Sequence, residues 1–253
     1  MTMTPAAAFV TGAGRRIGRA IAEALAADGW RVALHYGKSE REASTVAFGI
    51  RSRGGTCATV RGDLTDETHV SSLIQHASAV LELPITCLVN NASVFEHDTA
   101  QSATRASWDK HMEANLRAPF VLTQEFAKEL PPGTKGAVIN LLDQRVWNLT
   151  GDFVSYTVSK AALWTLTQTL ALALAPRIRV NGIGPGPTLP SQRQTPEHFA
   201  AQVAATPLGA AVPLGDIVAA VRFILGAESF TGQMLALDSG QHLVPGGRAE
   251  KTR

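Results

Sequence analysis

The stretch DQRVWNLTGDFVSYTVSK, residues 143–160, puts a carboxylate, a phenol and an amine into one short run: Asp143, Tyr156 thirteen residues later, and Lys160 four residues further on. Tyr156 and Lys160 at that spacing share one face of a helix. A phenol titrates near ~10 in water and is a poor acid or base at neutral pH. A fixed ammonium beside it stabilises a developing phenolate and draws the phenol pKa towards the working range, so the pair can deliver a proton. Asp143 behaves differently. Ionised, it only accepts hydrogen bonds, and it repels a developing oxyanion. It therefore suits a substrate that presents N–H donors and needs a proton on a ring nitrogen, and suits a simple ketone poorly. Burial and substrate binding would raise its pKa enough for it to pass a proton on. The plain alternatives stay open: Asp143 pairs with Arg145 or another cation, and a YxxxK pattern alone is common on helix surfaces.

These side chains need a scaffold, and the chain alternates short β-rich runs with helical patterns. AAAFVT (6–11), RVALHY (31–36), TCATVRGD (56–63), ITCLVNNA (85–92), GAVINLL (136–142), IRVNGIG (178–184) and MLALD (234–238) read as strands. Helices are expected from near Arg16, after Ser39, around Val70–Leu81, and in a longer region through about Glu129. Such βα alternation predicts an α/β fold: one Rossmann-type, doubly wound domain over 1–253, its seven-stranded parallel sheet flanked by helices. Ligands then bind along the carboxyl edge of the strands at the topological switch. The Pro- and Ala-rich segment 185–213 reads as a loop with a short helix, either a substrate lid or an ordinary surface connection.

TGAGRRIG (11–18) follows the first strand directly and opens a helix. Gly12, Gly14 and Gly18 permit a tight turn, close backbone approach to a pyrophosphate and close helix packing, and the helix N-terminus adds N–H groups for phosphate. The second strand ends in HYGKSER (35–41), where an NAD-binding turn carries Asp or Glu to accept from the ribose hydroxyls. His35, Tyr36 and Gly37 stand there instead, followed by Lys38 and Ser39, and His35, Tyr36, Lys38 and Ser39 are expected among the cofactor contacts. With no carboxylate to repel a 2′-phosphate and with Lys38 and Arg15 at hand, NADPH is the expected cofactor. Ser39 and Glu42 have capping-box spacing, so Ser39 is expected to cap the following helix as well.

Composition narrows the classes. The chain is 45% apolar and 17% charged with formal net charge +2, too small and scattered to indicate nucleic acid. AAAFVTGAG has no charged leader or cleavage site, so no signal peptide is expected. Cys57 and Cys87 sit in apolar runs and are expected to be reduced and packed, in a cytoplasmic protein. Neither CxxC nor HExxH occurs, and no metal site is expected. ALWTLTQTLALALA (161–174) is too short and too threonine-rich to span a membrane. A helix apolar on most sides is buried on most sides, which implies a homo-oligomer. The seven histidines show no catalytic or metal pairing and are mostly surface residues. VPGGRAEKTR (244–253) reads as a mobile basic tail.

Together, TGAGRRIG, NNAS (90–93), Asn115, YTVSK (156–160), GPG (184–186) and LDSGQ (237–241) resemble the short-chain dehydrogenase/reductase family over nearly the whole chain. Arg16 in place of the turn's second glycine, Ser93 in place of the last glycine of NNAG, and Asp143 in place of the common serine resemble its pteridine reductase branch, as do LHYGKSEREA (34–43) and NNASVF (90–95). The resemblance implies that Arg16 reaches cofactor phosphate and pterin, with Ser93 beside the substrate and the Phe95 ring stacked on the pterin opposite the nicotinamide. It implies Asp143, Tyr156 and Lys160 as the catalytic residues, Lys160 also bonding the nicotinamide ribose, and Asn115 holding a water behind Lys160. Asp63, with Leu64, falls on the adenine contact. Ile17, Asn91, Ala92, Pro185, Gly186 and Thr188 fall on the cofactor cradle. Phe95, at the fourth strand's carboxyl end, faces the cofactor or the core, and Trp147 closes the pocket or merely packs. The family often forms tetramers.

The expectation is an NADPH-dependent reductase of a dihydropterin-like heterocycle. Two alternatives remain: a carbonyl or 3-oxoacyl reductase that tolerates the aspartate, and an NADPH-binding sensor without turnover.

Overall fold

Alternation along β1 (Ala7–Val10) creates the layers of the molecule in the computed structural model, which describes residues 6–191 and 194–244. Successive strand side chains point to opposite faces. Ala8 and Val10 join one apolar cluster, with α1 (Arg16–Ala27), α2 (Glu40–Ser52) and α8 (Leu214–Gly226). Ala7 and Phe9 join the other, with α3 (Glu67–Leu81), α5 (Ala118–Glu129) and α6 (Val154–Leu174). Both faces of the sheet are covered, which is why its strands are nearly continuous apolar runs.

The remaining strands are β2 (Arg31–Tyr36), β3 (Cys57–Arg61), β4 (Ile85–Asn90), β5 (Gly136–Leu141), β6 (Ile178–Pro185) and β7 (Met234–Leu237). Their order is β3-β2-β1-β4-β5-β6-β7, with every neighbouring pair parallel. After β3 the chain returns past β1 to begin β4. The carboxyl ends of β1 and β4 therefore diverge side by side, forming the switch-point crevice of a doubly wound sheet. All seven sequence-read strands are present.

The long helical region before Glu129 is interrupted: α4 (Arg105–Met112) passes through a π-helical turn, Glu113–Arg117, into α5. Segment 185–213 carries the short helix α7 (Pro196–Ala204). The apolar stretch 161–174 lies within α6, where Leu163, Leu170 and Ala171 are buried but Leu172 is 84% exposed. Among the described residues no helix is long and apolar enough to cross a membrane, and no cluster could hold a metal ion. Cys57 and Cys87 are buried thiols outside any disulfide, and burial pushes Cys87 up to about 12. Residues 245–253 of the basic tail lie outside the described residues.

The capping box does not form. Ser39 sits at φ −99°, ψ 50°, away from the extended conformation a side-chain cap needs, and makes no cap hydrogen bond. Glu42 instead pairs with Arg15, where an opposite charge is a stronger attraction than an exposed amide.

Candidate active site

The glycine turn is fixed from below by β4. Thr11 Oγ1 accepts from the Asn91 and Ala92 amides, both at 2.9 Å, and Asn91 Nδ2 donates to the Thr11 carbonyl at 2.8 Å. Gly12 lies at φ +63°, and a methyl group on Gly18 would fall 2.4 Å from both Asn91 Nδ2 and the Gly12 oxygen. Only glycine meets both demands. Gly14 is buried under the turn, and Ile17 packs against the α1 side of the core.

His35 is placed differently from the sequence reading, which put it among the cofactor contacts. It is 2% exposed; its Nδ1 accepts from the Gly12 amide (3.2 Å) and its Nε2 faces the Gly62 carbonyl (3.1 Å). Burial draws its pKa down to about 4, against smaller opposing effects of the Gly62 carbonyl and Asp63, so the ring is neutral at pH 7. His35 therefore ties the glycine turn to the end of β3 and brings no positive charge. Tyr36 is buried beside it. The exposed cations at this edge include Lys38 and Arg15, the latter shared with Glu42.

Asp63 is exposed, and its Oδ1 accepts from the Thr65 amide (2.9 Å) and hydroxyl (2.8 Å), bonds that hold it below the usual carboxylate range. Leu64 is half-buried next to it. Across the crevice Gly186 N–H donates to the Leu237 carbonyl (2.9 Å), continuing the β6 edge from Pro185 into the loop, and Thr188 donates to the Gly186 carbonyl (3.2 Å). Arg16 spans the two sides. At φ +53°, its guanidinium donates to the carbonyls of Leu189 (2.9 Å) and Pro190 (2.6 Å), fastening the turn to the start of the 185–213 loop.

Asp143, Tyr156 and Lys160 converge at the β5 end. Asp143 caps a short 3-10 turn, Gln144–Val146, its Oδ1 accepting from the Arg145 amide (2.9 Å). Its Oδ2 accepts from the Tyr156 hydroxyl at 2.8 Å. Lys160, one turn on along α6, donates to the Leu141 carbonyl at 2.6 Å and lies 5.9 Å from the centre of the Tyr156 ring. Both Tyr156 and Lys160 are buried. Burial pulls the Lys160 ammonium down to about 8, although Asp143 opposes this. The expected lowering of the phenol is overturned. Burial first, then the Asp143 charge and hydrogen bond, raise Tyr156 well above its ordinary value, and Arg145 only partly offsets them. The phenol is held firmly protonated.

Asn115 occupies the π-helical turn, but its side chain turns to the strand exit. Its Oδ1 accepts from the Val94 amide (2.8 Å) and the Ser93 hydroxyl (3.2 Å), and its Nδ2 donates to the Val94 carbonyl (2.9 Å) and Ser159 Oγ (3.1 Å). It thus sets Ser93 and, two residues on, Phe95 against the catalytic helix. Phe95 is 40% exposed and meets the Tyr156 ring edge-on at 4.6 Å, so it belongs to the site and not to the core. Trp147 is half-exposed and meets Trp164 and His242 edge-on.

Residues 6–198 match the family model described as short chain dehydrogenase. The chain belongs to that family. Among solved structures it is similar to FolM alternative dihydrofolate reductase 1 from Brucella suis, crystallised with NADP: 48% identical, TM-score 0.91, covering 94% of this chain and 96% of that one. Among curated proteins it is 36% identical to NADPH-dependent aldehyde reductase 2, chloroplastic, of Arabidopsis thaliana over 71% of each chain. It is also 33% identical to pteridine reductase 1 of Leishmania tarentolae, over 74% of this chain and 78% of that one.

Two features of this short-chain dehydrogenase escaped the sequence reading. Phe153, at φ +58° just before α6, stacks on Phe95 with ring centres 4.4 Å apart, and the Arg145 guanidinium lies beside the pair, 5.0 Å from Phe153 and 6.0 Å from Phe95. Asp98, 2% exposed, accepts from the Ser155 amide (3.1 Å) and hydroxyl, while Ser155 Oγ also meets His111 Nδ1 at 2.7 Å. Burial alone would raise the Asp98 carboxyl, but the Ser155 bonds hold it below its ordinary value. A carboxylate at the N-terminus of α6 also meets the positive end of the helix dipole. Phe153 N–H donates to the Asp98 carbonyl at 2.7 Å, so the loop behind Phe95 and the first turn of the catalytic helix are one bonded unit. In sequence, Asp98, His111 and Ser155 stand far apart with no spacing rule joining them.

Proposed function

We propose that this short-chain dehydrogenase is an NADPH-dependent reductase of a dihydropterin-like heterocycle. The observation that carries the reading is the Asp143 carboxylate bonded to Tyr156 at 2.8 Å. Next to a buried phenol, an acceptor-only group favours a substrate edge bearing N–H donors over a bare carbonyl oxygen. NADPH supplies the hydride. The residues fit this cofactor: the β1 turn leaves no room for a side chain at Gly12 or Gly18, so its backbone can approach a pyrophosphate at the start of α1, and Lys38 is exposed where a carboxylate would repel a 2′-phosphate. Asn91, Ala92, Pro185, Gly186 and Thr188 line the crevice around it, and Asp63 with Leu64 closes the adenine end.

In this reading Tyr156 gives its proton to a ring nitrogen while Lys160 stabilises the phenolate, and Asp143 holds the substrate N–H edge. Arg16, Ser93 and Phe95 orient the ring, and segment 185–213, latched by Arg16, covers it. The protein works in the cytoplasm as a homo-oligomer, a tetramer, in which exposed apolar side chains of α6 such as Leu172 are covered by a second copy. NADPH oxidation should be followed with dihydropterins, dihydrofolate and simple aldehydes and ketones. Dihydropterin turnover supports the reading. Aldehyde or ketone turnover alone favours the alternative, a carbonyl reductase, which the identity to an aldehyde reductase supports. Tight NADPH binding with no turnover of any of these would favour the sensor.

A further inference from the structure

Arg145 is a cation at the mouth of the site without a counter-charge. Its guanidinium donates to Thr150 Oγ1 at 2.8 Å, and among the described residues no carboxylate pairs with it. Asp143, two residues earlier, takes only the Arg145 backbone amide and spends its other oxygen on Tyr156. By contrast Arg15, Arg105, Arg117 and Arg222 each meet an acidic side chain, and Arg16 is taken up by two carbonyls.

A guanidinium offers five N–H donors in a fork that fits carboxylate or phosphate oxygens, and Thr150 uses one of them. The flat group lies at the side of the stacked Phe95 and Phe153 rings, within cation–π range of both. Phe95 in turn touches the Tyr156 ring. Arg145 therefore lies against the same aromatic wall that touches the Tyr156 ring.

We propose that Arg145, with Thr150 and the Phe95–Phe153 wall, forms a subsite for an anionic substituent, a carboxylate or phosphate, carried on the heteroaromatic substrate. This rests on the reading of the site as a ring reductase and deepens it: Asp143 takes the N–H edge of the substrate and Arg145 its anionic end. A competing role exists, since the Arg145 charge also draws the Tyr156 pKa down. A residue acting only on the phenol would alter kcat for every substrate alike. An anion subsite instead alters KM, and only for charged substrates.

The test compares wild type, Arg145→Gln and Arg145→Lys on two matched pairs: 7,8-dihydrobiopterin with 7,8-dihydrofolate, and benzaldehyde with 4-carboxybenzaldehyde. Arg145→Gln should raise KM at least tenfold for the carboxylate-bearing member and less than twofold for the neutral one, and Arg145→Lys should recover part of the difference. Equal changes for both members, or none, overturn the subsite. If only the aldehyde pair is turned over and the loss still tracks charge, the subsite stands and the pterin reading falls. If pterins are reduced without discrimination by charge, the reading stands and the subsite falls. Turnover of neither pair contradicts both.

Discussion

Tyr156 donates its hydroxyl proton to Asp143 at 2.8 Å, so the buried phenol of the site rests against a carboxylate and not against the ammonium of Lys160. Lys160 instead donates to the Leu141 carbonyl at 2.6 Å. A phenolate formed in this arrangement would face the Asp143 charge. In the proposed reaction, substrate N–H groups that engage Asp143 would weaken that repulsion as they bind, tying proton release to the right kind of ligand.

Removing the Asp143 charge should therefore lower the Tyr156 pKa. The chain has only two tyrosines, so in a Tyr36→Phe background the ultraviolet phenolate absorbance reports Tyr156 alone. Asp143→Asn should titrate at lower pH than its parent. Asp143→Ser should cut dihydropterin turnover by about 10²-fold or more, the usual scale of proton-transfer catalysis, while NADPH affinity changes less than threefold. Undiminished turnover would remove the argument from charge.

Lys160 sets a basic limit. Its ammonium, present below about 8, is lost above it, so kcat/KM should fall with a free-enzyme pKa near 8. Its unfolded value is ~10.4, so between the two the unfolded chain binds the extra proton and this group makes stability rise with pH. A fall in activity there cannot be unfolding caused by Lys160. Lys160→Met should leave a residual rate with no limb near 8; an unchanged limb would assign it to another group.

His35 should carry part of the acid sensitivity. Its folded pKa of about 4 lies below the ordinary 6.5, so stability is full above 6.5 and falls as pH drops towards 4, by about 3 kcal/mol from this group. Denaturant titrations of wild type and His35→Gln at pH 7 and pH 4.5 should show a smaller loss in the variant. Equal losses would mean that His35 titrates normally.

Asp98→Asn tests the support of the catalytic helix. It removes the charge at the start of α6 and disturbs the bonds to Ser155, which should cost about 1–3 kcal/mol in unfolding free energy. A midpoint of denaturation unchanged from wild type would show that the Asp98 charge contributes nothing to stability.

The strands and the glycine turn were legible because a parallel sheet covered on both faces needs continuous apolar runs, and a close β1–α1 turn needs Gly12 and Gly18. That Tyr156 and Lys160 share one helix was legible because i,i+4 spacing fixes which side chains share a face. His35 was misread because its exposure depends on the pairing of β2 with β3, a long-range contact that local sequence does not display. The Ser39–Glu42 pattern had the right spacing, but Arg15, far off in sequence, drew the glutamate away. The aromatic wall was missed because Phe153 reaches Phe95 through a positive φ just before α6, a conformation the sequence does not display. The sign of the Tyr156 shift was wrong because motif spacing places Lys160 near the phenol without weighing burial and Asp143 against it.

The most direct measurement is steady-state NADPH oxidation with 7,8-dihydrobiopterin by wild type and Tyr156→Phe, alongside NADPH binding by fluorescence. Wild type should reduce the pterin, and the variant should lose at least 10²-fold in kcat while its NADPH Kd stays within threefold. A variant that reduces the pterin as fast as wild type would contradict the account.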